Sequence, residues 1–447
     1  AGAGQIYLAP ATARAFDAAE QAADKAGDSF VTVERLLLAL ALDKDSEAGS
    51  LLAKGGVTPQ NLNAAINALR KGRTADSASE GAAERASYEA RPKLRPGDIV
   101  EAVPGVVATQ HSGDGKANQY FLRGFNLDHG TDFAVTVDGM PVNMPTHGHG
   151  QGFADLNFLI PELVSGVRYR KGPYAADDGD FSLAGSARMD YLSALPRSFG
   201  ELTLGRHGYA RALLAGSRTR EDDTWLAALE LQGNDGPWLR PEGLRKANAV
   251  LRYSRGSPAR GFTLTGMAYD SRWHGTDQIP WREVEAGALD RFGTLDPTDG
   301  GRTRRLSLSG KWFDQGPAGA TQVSAYAIDY SLRLWSNFTY FLADPVRGDQ
   351  FEQTDRRRVF GAQAGHRMHN RPAGLDGLLS LGAAWRGDRI GEAGLHLTEA
   401  RERHATIRQD AVSQDPVSAG APQLGNFRPR WRRYLGARAH LPRYPPQ

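Results

Sequence analysis

No cysteine occurs in the 447 residues of this sequence, which excludes disulfide staples and thiolate metal sites. No apolar run approaches 18 residues, which excludes a transmembrane helix. A β-barrel remains open, because barrel strands alternate and keep mean hydropathy low; here it is −0.47. Charge of one sign is also lacking: 54 basic and 51 acidic residues leave a net charge of +3, so no nucleic-acid partner is expected. Enzyme signatures are missing too. There is no G-x-S-x-G elbow, no H-E-x-x-H pair and no paired carboxylate in an acid/base setting. Asp177, Asp178 and Asp180 make an acidic turn without the later ligands of a Ca²⁺ loop. No catalytic residue is assigned, and no cofactor is required. The opening, AGAGQIYLAPATARAFDAAE, has neither a basic n-region nor an apolar h-region, so no export signal is read there.

What is present changes character along the chain. The first 72 residues read as helices. Pro10 opens one, Thr32 caps VERLLLALAL with Leu36, Leu37, Leu40 and Ala41 at helical spacing, and Thr58-Pro59 opens a third with Leu62, Ile66 and Leu69 on one face. Residues 73–91 are small and polar, and residues 81–91 are assigned as a linker. After it the texture shifts to glycine, arginine and alternating aromatics. In the opening block, AGDSFVTVERLLLALALD and LLAKGGVTPQNLNAAINALRKG resemble one repeat of the N-terminal domain of the Clp disaggregases, giving an all-α segment over residues 1–80. That family's ATPase needs G-x-x-x-x-G-K-[ST], and no such loop occurs here. The alternative function the resemblance implies is a detached module that binds proteins or adaptors.

Residues 92–191 carry a run of motifs in order: Val103-Pro104-Gly105-Val106, Leu122-Arg123-Gly124-Phe125, Val137-Asp138-Gly139, Ile160-Pro161-Glu162, Arg170-Lys171-Gly172-Pro173 and Ala184-Gly185-Ser186-Ala187. Short β-rich runs at residues 120–122 and 133–137 fit a small α+β domain, and Asp138-Gly139 fits a two-residue hairpin turn. The segment resembles the plug domain of TonB-dependent outer-membrane receptors. Arg123 and Arg170 are expected to meet carboxylates on the barrel wall.

Residues 192–447 read as amphipathic strands. Trp225, Ala227, Leu229 and Leu231 alternate with Leu226, Ala228, Glu230 and Gln232, and Leu306, Leu308 and Trp312 with Arg305, Ser307, Ser309 and Lys311, as a lipid-facing outside and a wet inside require. Further strands are placed at 199–206, 209–218, 247–255, 262–270, 320–331, 333–341, 357–366 and 378–388. Trp273, Trp281, Trp335, Phe338, Tyr340 and Phe341 are assigned to interfacial girdles. The total is ten strands, against about 22 in plugged transporters, so the fold class is multidomain with an incomplete antiparallel transmembrane β-barrel. The periodicity fades beyond Gln409, the end LPRYPPQ is not an aromatic-ended strand, and no TonB box is recognised. The sequence therefore reads as a fragment or fusion that does not transport unaided.

The resemblance implies an outer-membrane receptor of a Gram-negative bacterium, in contact with outer-membrane lipid and driven by the TonB energising complex. It turns three plug loops toward the external mouth, at residues 110–118, 126–132 and 142–153. These hold His111, Asp128, His129, Asp132, His147 and His149, the residues assigned to ligand binding. His147 and His149 stand in PVNMPTHGHGQG with Gly148 between them. Because neutral imidazole is a good transition-metal ligand, His147, His149, His129 and His111 are expected to converge on a metal ion, with a metal ion, metal chelate or haem as the cargo.

Overall fold

Helices begin where the sequence supplies caps. Thr32 Oγ1 accepts the Arg35 N–H at 3.4 Å and starts α2 (Val33–Leu42) after α1 (Pro10–Lys25), while Pro59 opens α4 (Pro59–Arg70). A further helix, α3 (Glu47–Lys54), was not anticipated; Ser46 Oγ caps it from the Gly49 N–H at 3.0 Å. Gly49 is required there, since a Cβ would lie 2.0 Å from the Asp43 carbonyl oxygen. The computed structural model describes residues 10–28, 31–70, 80–85, 88, 95–173, 176–257, 259–275, 277–317, 319–370, 377–414, 417–418 and 423–425. It divides into two units, Ala1–Gly81 and Ala82–Gln447. In the first, Ala15, Ala19, Ala23, Leu38, Ala39, Ala41 and Ile66 are buried. Leu37 is exposed, so the inner face of α2 is rotated from the expected stripe to one that buries Arg35, whose Nε pairs with Asp28 at 2.8 Å.

The second unit begins with the small mixed domain that resembles a plug. Strands β2 (Val106–Thr109), β3 (Gln119–Leu122) and β4 (Phe125–Asn126) form one small sheet. A mixed sheet is built from β1 (Glu80–Glu84), β5 (Phe133–Val137), β6 (Met140–Pro141), β7 (Val164–Lys171) and β8 (Gly185–Tyr191), in the order β1-β7-β8-β5-β6 with β5 parallel to β8. Asp138 and Gly139, at φ 50° and 80°, make the β5–β6 turn with both central residues left-handed, as a two-residue hairpin demands. The span assigned as linker needs correction: it contains the end of β1, and Tyr88 is buried in the plug core with its hydroxyl donating to the Val164 carbonyl at 3.0 Å. Edge pairing on β7 makes a strand of a segment whose own composition favours none.

Ten strands then run as a meander in which each is antiparallel to the next: β9 (Phe199–Leu204), β10 (Ala210–Arg220), β11 (Asp223–Asn234), β12 (Leu244–Gly256), β13 (Arg260–His274), β14 (Gly300–Gly316), β15 (Gly319–Ser336), β16 (Phe351–Asn370), β17 (Gly377–Glu399) and β18 (Glu402–Gln414). The path from β9 to β18 is open, giving a large antiparallel sheet like part of a barrel. The predicted alternation holds: Trp225, Leu229, Leu231, Leu306, Leu308 and Trp312 are exposed, while Leu226, Glu230, Gln232, Arg305, Ser307 and Ser309 are buried. Two strand assignments change. Residues 320–331 and 333–341 belong to one strand and its following loop, and pairing continues past Gln409 through β18, with short pairs at 417–418 and 423–425 on β17. The terminal LPRYPPQ lies outside the described residues.

The sheet has two different ends. Short turns join β10–β11, β12–β13 and β14–β15, while loops 235–243, 275–299 and 337–350 lie at the other end. The aromatics expected at an interface are placed differently. Trp225, Tyr253, Phe262 and Trp312 cluster on the outer face near the short turns, with Trp225 and Tyr253 centroids 4.7 Å apart and Tyr253 and Phe262 5.5 Å apart. Trp273 and Trp335 are buried instead, and Phe338, Tyr340 and Phe341 lie in a long loop.

Candidate functional site

The loop between β2 and β3, residues 110–118, is fixed from within by Gln110, whose Nε2 donates to the carbonyls of Ser112 (2.7 Å) and Lys116 (3.1 Å). It leans on the long-loop end of the sheet. The Asp114 N–H donates to Glu242 Oε1 at 2.7 Å, Asn234 Nδ2 donates to Asp114 Oδ2 at 2.5 Å, and Ser112 Oγ donates to Asp277 Oδ1 at 3.4 Å. Trp273 packs flat on the loop, and a Cβ at Gly115 would fall 2.1 Å from its ring. Gly115→Ala is therefore expected to cost about 1–3 kcal/mol by overpacking and to lower hydrogen-exchange protection of residues 110–118.

The second loop, residues 126–132, closes on the first. His129 is buried, and its Nδ1 donates to the Asn118 carbonyl at 2.9 Å. The third loop follows β6 and is clamped from the sheet. Arg357 donates to the Pro145 carbonyl at 2.6 Å and the Thr146 carbonyl at 3.1 Å, and Arg386 to the Asn143 carbonyl at 3.0 Å. A Cβ at Gly148 would lie 2.2 Å from the Thr354 carbonyl oxygen, so glycine lets this loop touch β16. Asp128 and Thr146, at φ 49° and 51°, hold the left-handed conformation that side chains disfavour, a strain often found in ligand loops.

The four imidazoles are brought together, but through tilted and edge-on ring contacts with one another and through contacts with Phe153. His111 and His129 centroids are 5.4 Å apart, and His129 and His149 4.7 Å. His147 lies parallel on Phe153 at 4.3 Å, whereas His149 meets the same ring edge-on at 5.4 Å. The proton positions follow from the partners. His147 Nδ1 accepts the His149 N–H at 3.1 Å, so its proton sits on Nε2, a buried atom with no hydrogen-bond partner, 3.9 Å from Asp355 Oδ2. His149 Nδ1 donates to Gln353 Oε1 at 2.7 Å, leaving its Nε2 lone pair free. His111 Nε2 faces the Lys116 ammonium at 3.4 Å.

This corrects the expected four-histidine metal centre. His147 has no lone pair to offer, and among the described residues no group of three or more such side chains is arranged to hold a metal ion. Gly148 lets the loop approach the sheet; it does not turn His147 and His149 onto one ion. The electrostatics point the same way. Burial, then the Lys116 charge, pushes His129 down to about 4. His147 and His149 are held well below the usual range, burial again being the main cause. His111 is lowered by burial and by Lys116. The neutral imidazoles of His111, His129 and His149 thus lie near the buried Lys116 ammonium, which also feels the Asp277 and Asp128 carboxylates, with His111 and Asp128 exposed at the rim and His149 partly so. Asp132 stands at the foot of β5, its carbonyl accepting the Ala184 N–H at 2.9 Å.

The expected plug-to-wall contacts are corrected in sign. Arg170 pairs inside the plug with Asp177 at 2.5 Å and Asp178 at 3.3 Å, and Arg123 is exposed. The plug instead presents carboxylates to basic residues of the sheet. Glu162 takes both Nη atoms of Arg211 at 3.0 and 2.9 Å, Asp190 pairs with Lys311 at 3.2 Å, and Asp138 pairs with Arg252. Glu162 and Asp138 stand in the Ile-Pro-Glu and Val-Asp-Gly motifs. Their signal was an acid inside an otherwise apolar run, and the partners were invisible because they lie far along the chain.

A small mixed domain is thus pinned by buried charge against a meander of amphipathic strands. Residues 74–186 match the TonB-dependent receptor plug domain, and residues 1–55 the Clp repeat (R) N-terminal domain. Among solved structures, the fold is similar to the ferric citrate transporter FecA (TM-score 0.59, 13% identity, covering 75% of this chain and 51% of that one). It is also similar to the copper transporter OprC (TM-score 0.55, 14% identity, 75% and 50%) and the siderophore receptor PirA of Acinetobacter baumannii (TM-score 0.51, 15% identity, 71% and 49%). The N-terminal segment is 91% identical over 78 residues to the chaperone protein ClpB of Rhodopseudomonas palustris, covering 17% of this chain and 9% of that protein. It is 62% identical over 78 residues to ClpB of Rhizobium meliloti. The chain thus spans about half the length of the receptors it resembles and about a tenth of the chaperones.

Proposed function

We propose that the plug and sheet are part of a TonB-dependent outer-membrane receptor for an anionic metal chelate, energised by the TonB complex, and that the division is 1–80 for the helical repeat, 81–191 for the plug with most of β1 and Tyr88 included, and 192–447 for the partial barrel. The observation that carries the cargo class is the Lys116 ammonium set beside imidazoles that stay neutral, with Nε2 of His149 free and, among the described residues, no arrangement fit for a bare cation. Such a surface favours the carboxylate or phenolate oxygens of a chelate over the ion itself. Similar folds include a ferric citrate transporter and a ferric enterobactin receptor, in agreement with that class. The helical unit supports a second, separate reading as a chaperone-type protein-binding module, on its 91% identity to ClpB.

Calorimetry on the full chain in detergent micelles tests the cargo, using ferric citrate, ferric enterobactin and bare Cu²⁺. His111→Ala with His149→Ala is expected to weaken binding of one chelate at least tenfold, equivalent to about 1.4 kcal/mol, with no Cu²⁺ heat from either protein. Cu²⁺ binding abolished by the double substitution would reinstate the metal-ion reading.

A further inference from the structure

The helical unit leaves much of its apolar surface outside. Among its described residues, the buried apolar side chains are mostly alanines (Ala15, Ala19, Ala23, Ala39 and Ala41), with Leu38 and Ile66 the only larger ones. Phe16, Leu37, Leu42 and Leu51 are 46%, 38%, 52% and 61% exposed. A unit this small has little core to spare, so leucines left in water favour association with another surface.

The packing of α3 shows which of its faces is free. Gly49 lies against the end of α2, where a Cβ would stand 2.0 Å from the Asp43 carbonyl oxygen and 2.9 Å from that of Leu40. The opposite side of α3 carries Glu47, Leu51 and Lys54, spaced i, i+4 and i+7 so that all three project the same way, and all three are exposed. The acid stands in the first turn and the base in the last, and neither has an ion-pair partner among the described residues. Leu42, next in sequence to Asp43, adds a second exposed leucine at this crossing.

That order of charges matches itself. Two copies of α3 laid antiparallel about a two-fold axis near Leu51 set each Glu47 against Lys54 of the other copy, with the two Leu51 side chains between them, because positions 47 and 54 lie equally far from the centre of the pair. We propose that the helical unit binds a second copy of this chain through the Glu47-Leu51-Lys54 face of α3, forming an isologous dimer. A second copy presents acid and base in the matching order on a rigid helix, whereas an arbitrary unfolded chain does not, and this charge match selects the partner. Being exposed, the ion pairs weaken with salt.

The test uses the full chain in detergent micelles, where the absence of cysteine makes an introduced thiol unique. Leu51→Cys, close to the axis, is expected to form an intermolecular disulfide under mild oxidation at least tenfold faster than Asn61→Cys, an exposed site on α4. Sedimentation of the detergent complexes reads the dimer directly. Glu47→Lys and Lys54→Glu each set like charges opposite one another and are each expected to weaken dimerisation at least tenfold, while the two together exchange the charges and are expected to restore it. Reduced, carboxymethylated lactalbumin, a permanently unfolded chain, should leave the dimer intact in excess. Equal disulfide rates at the two sites, undiminished dimerisation by either single variant, failure of the exchange to restore it, or dissociation by the unfolded chain would each overturn the proposal. The last result would make this face a site for unfolded polypeptide and favour the chaperone-type reading of the helical unit.

Discussion

Arg211→Ala is expected to loosen the plug from the sheet by about 3–5 kcal/mol, on the order of a hundred- to several-thousand-fold in the undocking equilibrium. Arg211 is the joint between two acids on different domains. It grips Glu162 of the plug bidentately and Glu230 of β11 at 2.6 Å, with all three side chains at most 6% exposed. Removing it leaves two buried carboxylates, of which only Glu230 keeps a cation, Lys246 at 3.2 Å. The large figure reflects stranded charge and not the net worth of the pair, which desolvation largely offsets. Glu162→Gln keeps an acceptor for one Nη and is expected to cost less, about 1–3 kcal/mol. Hydrogen exchange of plug peptides in residues 96–191 measures both, and equal protection in wild type and Arg211→Ala would show that the ion network does not hold the plug.

Acid is expected to weaken the plug loops through His129. Its folded value of about 4 lies below the ordinary 6.5, with burial the main cause and Lys116 the next. Between those values the unfolded state binds the proton and the folded state does not, so stability is complete above about pH 6.5 and falls as pH drops toward 4. The full span corresponds to roughly 3 kcal/mol. His147 and His149 add to it with the same sign. Buried acids oppose it: Glu242 is raised to about 8 by burial and Asp114, and Asp299 to about 9 by burial and its neighbours Asp296 and Asp277. The comparison of wild type with His129→Asn cancels those acids, and Asn keeps a donor for the Asn118 carbonyl. The variant's melting temperature is expected to depend less steeply on pH between 6.5 and 4, by about one proton. Parallel curves would mean that His129 is already protonated in the folded protein.

Periodicity and turn chemistry determined much of this protein in the sequence itself. A two-residue alternation along β11 and β14 fixes which side chains face in, because consecutive residues of a strand must point to opposite faces. Asp138-Gly139 fixes a hairpin because few other pairs tolerate left-handed backbone at both positions. Thr32 and Pro59 fix helix starts through groups within three residues. Each of these is a local property. What failed locally was decided by partners far along the chain. Residues 80–84 became a strand only by meeting β7, and Trp273, read as a membrane anchor, is an interior side chain lying on Gly113 and Gly115.

The candidate site divides in the same way. That four histidines and Asp128 share a set of plug loops was legible, since loop membership follows from the flanking strands. Their chemistry was not. The lone pairs of His147 and His149 are assigned by a backbone N–H two residues away and by Gln353, more than two hundred residues on, and the third loop is held by Arg357 and Arg386 from another domain. Spacing two imidazoles around a glycine permits convergence; only the packed sheet decides where each nitrogen points. The same holds for charge. The acids in Ile-Pro-Glu and Val-Asp-Gly were visible as residues, but their role as the plug's anchors depends on Arg211 and Arg252, which tertiary structure alone carries within reach because opposite charges must be buried together or not at all.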